Sequence, residues 1–177
     1  ILHKLILQPK PKKKVYKPGE LYEFDDEMGE EGLAENIRMY DKWHGKNNIR
    51  IMFGPQGMDF ISTEMLLKTQ AVAKERGTQL YIHFQQGDRE TFQIVERYGK
   101  RPTEFGKQLG ILDKDTIVIH LTDCTDEETR EIAKTGATMV VNPASIGIID
   151  GVVCPSVVFQ EAGGYVALGS DQAPGNN

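Results

Sequence analysis

Short apolar runs that do not alternate with polar residues recur along this chain, and nearly every one is followed by a helical stretch. This pattern constrains the fold more than any other feature. Residues 49–53, 79–84, 116–121, 138–141 and 165–169 carry apolar side chains on both faces, as do residues 1–8 at the start. Strands of that kind are buried on both sides, which is the condition of a parallel sheet covered by helices. Helices are expected over 30–44, 63–76, 88–98, 125–135 and 153–162. Ser62 caps the second of them, and Thr125 with Glu128 forms a capping-box pattern before the fourth. Gly77, Gly99, Gly136 and the Gly163-Gly164 pair stand where these helices should stop.

About six strands result, in one α/β domain spanning 1–177. Residues 9–29 read as a long loop, in which Lys10, Lys12, Lys13 and Lys14 are followed by Glu23, Asp25, Asp26 and Glu27. Two architectures fit the alternation: an open doubly wound sheet, or part of a (β/α)8 barrel. A whole barrel needs roughly 250 residues, more than the 177 present. The chain opens on Ile1, already strand-like, so it is expected to be a piece of a longer protein. No Gly-x-Gly-x-x-Gly follows any strand, which weakens a dinucleotide-binding reading.

Composition removes several function classes. A formal net charge of −5 argues against a nucleic-acid partner. No apolar run approaches the roughly 20 residues of a membrane-spanning helix. Cys124 and Cys154 are too few for a disulfide scaffold or an all-cysteine zinc site. A cytoplasmic setting is the simple expectation, and self-association into a homo-oligomer stays open.

Polar residues gather where the apolar runs end: Gln56, His83, His120, Asn142 and Asp171. In a parallel sheet those ends share one rim, where ligands bind. Imidazole with carboxylate suits one divalent metal ion, zinc or iron first, with a position left for water.

The same residues carry a resemblance. Gly163-Gly164-Tyr165-Val166-Ala167-Leu168-Gly169-Ser170-Asp171, running on to Asn176-Asn177, is similar to the eighth barrel strand of the amidohydrolase superfamily in its deaminase and chlorohydrolase branch. Val140-Val141-Asn142-Pro143-Ala144-Ser145 resembles its strand seven, Ile119-His120-Leu121 its strand six, and Tyr81-Ile82-His83-Phe84 its strand-five His-x-x-Glu. The resemblance implies a partial (β/α)8 barrel, about strands three to eight, with the first strands, their His-x-His pair and a small β domain outside this chain. It implies hydrolytic removal of an amino or other leaving group from a nitrogen heterocycle, a small-molecule substrate, by metal-activated water. His83 and Asp171 would bind the metal, and Asp171 would also take the water's proton. His120 would hold the attacking oxygen, and Gln56 and Asn142 would line the substrate end.

One departure bears on catalysis. The proton-shuttling glutamate of His-x-x-Glu is Gln86 here, and an amide cannot deliver a proton. Glu90, one helical turn on, is read as a surface carboxylate. Gln86 therefore raises an alternative: a catalytically impaired domain serving as a binding or oligomerisation module. The isolated 177-residue segment is expected to be inactive.

Overall fold

The computed structural model describes residues 5–6 and 17–171. The Lys10–Lys14 run, His3 and the terminal 172–177 segment lie outside the described residues. Among the described residues six strands and seven helices follow one another: β1 Leu5–Ile6, α1 Asp26–Trp43, β2 Gly54–Pro55, α2 Thr63–Glu75, β3 Leu80–Phe84, α3 Gly87–Tyr98, α4 Pro102–Leu109, β4 Thr116–His120, α5 Asp126–Lys134, β5 Thr138–Val141, α6 Pro143–Ile149, α7 Ser156–Glu161 and β6 Tyr165–Leu168. None of the described helices is long and apolar enough to cross a membrane. The chain divides into two compact units, residues 1–82 and 83–177.

In the first unit, β1 pairs in parallel with β2, Leu5 opposite Gly54. α1 begins at Asp26, so the loop expected over 9–29 gives way to helix at its end. Asp25 causes this: its side chain accepts the Met28 amide at 3.0 Å, and Asp26 and Glu27 favour the positive helix start. The strand expected over 49–53 also shifts. Its first backbone groups are taken elsewhere, the Ile51 amide by His44 Nδ1 at 3.1 Å and the Ile51 carbonyl by the Thr78 hydroxyl at 2.7 Å. Ile51 and Phe53 therefore make single bridges, Phe53 opposite Leu80, and the paired strand itself is only β2. Leu33, Phe53, Ile61, Leu66 and Leu80 form the buried interior here.

In the second unit, the end of β3 leads into β4, β5 and β6, the last three paired in parallel in sequence order. Every residue of β4 is buried, as an unbroken apolar run requires. α5 starts with a complete capping box between Thr125 and Glu128. Two helices add to those expected. α4 has Pro102 in its first turn and Gly110 at its end, but Gly106 lowers its helix propensity. That glycine sits in tight packing: a Cβ there would lie 3.3 Å from both Phe84 Cζ and Leu112 Cδ1. α6 is likewise interrupted in sequence by Gly147. The last helix is shorter than 153–162, because Pro155 sets its start and Val153 stays exposed.

Candidate metal and catalytic site

Each strand of the second unit delivers its polar residue through a different local device. His83 is the fourth residue of β3, whose burial alternates, and it is half-buried between buried Ile82 and Phe84. His120 ends β4 and is 0% exposed. Its φ is +81° and that of Leu121 is +58°, both in the left-handed region that costs a side-chain-bearing residue free energy. The Leu121 amide is held on the Phe84 carbonyl at 3.1 Å, which fixes this turn beside β3. The two imidazoles stack with centroids 5.3 Å apart and planes 24° from parallel. Asp171 follows β6 with φ +70° and accepts a short hydrogen bond from the Ser145 hydroxyl.

These side chains converge. His83, His120 and Asp171 each offer one ligand atom, all within 4.8 Å of one another. Asn142 follows β5 as the N-cap residue of α6, is 3% exposed, and places Nδ2 3.4 Å from His120 Nδ1. In the neutral tautomer in which Asn142 donates to Nδ1, the ring proton sits on Nε2. That Nε2 is buried and has no hydrogen-bond partner among the described residues. A buried polar atom without a partner is costly, and a metal-associated water or oxygen beside the donor set would satisfy it. The His83 imidazole with the Asp171 carboxylate is also the right chemistry for zinc or iron, so these residues fit such an ion.

Burial pushes the His120 imidazole down, His83 beside it pushes the same way, and Asp171 and Asp150 oppose; the result is about 4. The ring is therefore neutral near pH 7. The unfolded ring titrates near 6.5, so between the two values the folded chain binds fewer protons. Stability is fully present above about 6.5 and is lost as pH falls towards 4. The loss is on the order of 3 kcal/mol. Urea unfolding of the metal-free chain across that window should show it, and His120→Gln should remove that part of the slope.

Gly169 secures Asn142. A Cβ at Gly169 would stand 2.3 Å from Asn142 Oδ1 and 3.2 Å from Val140 Cγ1, while its amide donates to the Val141 carbonyl at 2.9 Å. Gly169→Ala should displace the Asn142 amide from His120 and cost about 1–3 kcal/mol. The His120 imidazole resonances should shift, whereas Gly147→Ala, with nothing within 4 Å of its Cβ, should leave them unmoved.

Other expected residues fall differently. Gln56 follows β2 in the first unit and is half-buried. Gln86 is the N-cap residue of α3, without a side-chain capping bond. Glu90, read as a surface carboxylate, is 1% exposed, because the α3 face with Gln93 and Ile94 turns inward. Cys124 donates to Gln85 Oε1 at 3.2 Å, and burial holds its thiol far above the usual range, so it offers no thiolate. Gln85 was passed over in sequence, yet it braces the end of β3. It is fully buried at φ +46°, accepts from Thr103 and Cys124, and its carbonyl takes the Asp123 amide at 2.9 Å. Only its place two residues after His83 could have singled it out.

Comparison with known proteins gives the chain's family and fold. A 5-methylthioadenosine/S-adenosylhomocysteine deaminase of Thermoanaerobacter pseudethanolicus is 29% identical over 161 residues, 90% of this chain and 37% of its own. A 5'-deoxyadenosine deaminase of Methanopyrus kandleri is 29% identical over 154 residues, 86% of this chain and 36% of its own. The chain thus spans about a third of the length of the curated relatives it matches. An adenosine deaminase from Xanthomonas campestris, with bound zinc, superposes at a TM-score of 0.77, with 24% identity over 84% of this chain and 34% of its own. Zinc-complexed atrazine chlorohydrolase from Arthrobacter aurescens gives 0.73, with 20% identity over 79% and 31%. The shared fold is a partial (β/α)8 barrel. The amidohydrolase family profile matches residues 16–177, taking in all the strand ends that carry His83, His120, Asn142 and Asp171, and the chain belongs to that family.

Proposed function

We propose that the full-length protein is a metal-dependent aminohydrolase that removes ammonia from a ring carbon of a nitrogen heterocycle. The observation that carries this reading is the convergence of His83, His120 and Asp171 within 4.8 Å, with His120 Nε2 buried and lacking a partner among the described residues. The names of the deaminase relatives supply the substrate class, purine nucleosides first. His83 and Asp171 would hold one divalent ion, zinc or iron. When bound, such an ion lowers the pKa of an adjacent water towards about 7.

The chain's own residues do the rest. Asp171 takes the water's proton. His120 Nε2–H donates to the oxygen as it bonds to the ring carbon and gathers charge. Asn142 fixes the tautomer that makes this donor available, so its role is on the His120 ring more than on the substrate. His120 is kept neutral by burial and is not consumed as an acid.

The test is ammonia release by the full-length protein from a panel of purine nucleosides, pyrimidines and triazines, together with metal analysis. Turnover with at least one divalent ion per chain is expected. A protein that binds no divalent metal, or releases no ammonia from any of them, ends this reading. A second reading, a binding module with lost catalysis, draws on the amide at Gln86. It predicts metal content without turnover, and turnover gained on Gln86→Glu.

A further inference from the structure

We propose that Asp150 is the acid that protonates the substrate's ring nitrogen, doing what the amide of Gln86 cannot; this rests on the deaminase reading above. Hydrolytic loss of ammonia requires such a group. As the water oxygen bonds to the ring carbon, the C=N π pair moves onto the ring nitrogen, which takes a proton from the acid. Asp171 passes the first water proton to the amino group, which leaves as ammonia with the C–N electron pair. The remaining hydroxyl proton returns to the acid as the carbonyl forms. One water is consumed, one ammonia leaves, and both carboxyl groups end as they began.

Asp150 stands where this acid is needed. It is the C-cap residue of α6, and its Oδ2 lies 3.5 Å from the Thr122 hydroxyl, two residues past His120. The same hydroxyl accepts the Gly87 amide at 3.0 Å, and Gly87 follows Gln86 directly. Asp150 Oδ1 is 4.0 Å from the point where a Cβ on Gly87 would be. Gly87 has no Cβ, and its φ of +68° suits glycine. The Asp150 carboxylate therefore overhangs the first residue of α3, beside the position that carries an amide. Gln86, Thr122 and Asp150 come from the segments that follow β3, β4 and β5, the rim that bears His83 and His120.

The alternatives are poorer. Asp171 is already engaged with the water. Glu90 lies on the inward face of α3 with Gln93 and Ile94, whereas Asp150 is only half-buried.

The test uses the full-length, zinc-loaded protein and the heterocycle from which it releases ammonia fastest. Asp150→Asn should lower kcat about a hundredfold or more, with KM, zinc per chain and the unfolding midpoint unchanged. Adding Gln86→Glu to Asp150→Asn should restore about tenfold or more of that loss, since a general acid is worth that much or more. A cationic N-alkylated ring already lacks the need for this proton, so wild type and Asp150→Asn should hydrolyse it equally. Wild-type kcat in Asp150→Asn overturns the proposal and leaves the deaminase reading standing. So does a loss that Gln86→Glu fails to relieve and that extends equally to the N-alkylated ring. A wild-type protein that releases no ammonia overturns both.

Discussion

Asp171→Asn should lower ammonia release by about a thousandfold in the full-length protein held at saturating zinc, because it removes the proposed general base. Asparagine is the informative substitution. Asp171 has a φ of +70°, a conformation that asparagine tolerates nearly as well as aspartate and other side chains do not. The amide can still accept the hydrogen bond from Ser145. Its oxygen can remain near His83 and His120, so the geometry survives while basicity is lost. Asp171 is exposed, and its replacement should leave the unfolding midpoint within a degree or so, as surface substitutions usually do. Zinc affinity should weaken, since a neutral oxygen replaces a charged one, which is why the comparison is made at saturating metal. If kcat under those conditions stays within about tenfold of wild type, Asp171 is not the base. Ser145→Ala is the companion measurement: it removes the hydroxyl that donates to this carboxylate and should lower kcat by far less than Asp171→Asn does.

The parts of this site that were legible in the sequence share a physical reason. His83, His120, Asn142 and Asp171 each sit where an apolar run breaks off, and a parallel sheet turns that one-dimensional regularity into a common rim. The strands were legible because burial on both faces leaves no polar alternation, as in β4. The helices with strong ends were legible too: α5 through its capping box, α2 through Ser62. The failures have their own causes. α4 and α6 each contain a glycine, and propensity counts against them. For Gly106 the reason becomes visible only once Phe84 and Leu112 are seen 3.3 Å away. Glu90 looked like surface because a carboxylate usually is. Its burial depends on which face of α3 turns inward, and the sequence pattern of that helix is mixed. Asp150, Thr122 and Gln85 act through contacts between segments more than 25 residues apart, such as Thr122 with Asp150. No local pattern records such a contact.

The largest structural effect should come from Gly164→Ala. The end of α7 is a full Schellman motif: Gly163 N–H donates to the Gln160 carbonyl at 2.9 Å and Gly164 N–H to the Phe159 carbonyl at 3.0 Å. Gly163 supplies the left-handed turn at φ +88°. Gly164 does something else. A Cβ there would lie 2.3 Å from two atoms of the Phe159 ring and 3.0 Å from the Ala133 Cβ. Phe159 is 0% exposed, so the ring has no room into which to retreat. Overpacking at such a point should cost about 3 kcal/mol, and a cost of that size lowers the unfolding midpoint by about 10 °C in a chain of this length. Phe159→Leu removes the colliding ring atoms. The double variant Gly164→Ala with Phe159→Leu should therefore be more stable than the sum of the two single losses, a coupling that a double-mutant cycle reads directly. Additive losses would show that Gly164 matters for its backbone alone. The effect should reach the site as well. α7 packs on β5 and β6, and β6 hands the chain to Gly169 and Asp171. Whatever displaces Phe159 shifts the strand that places the proposed base.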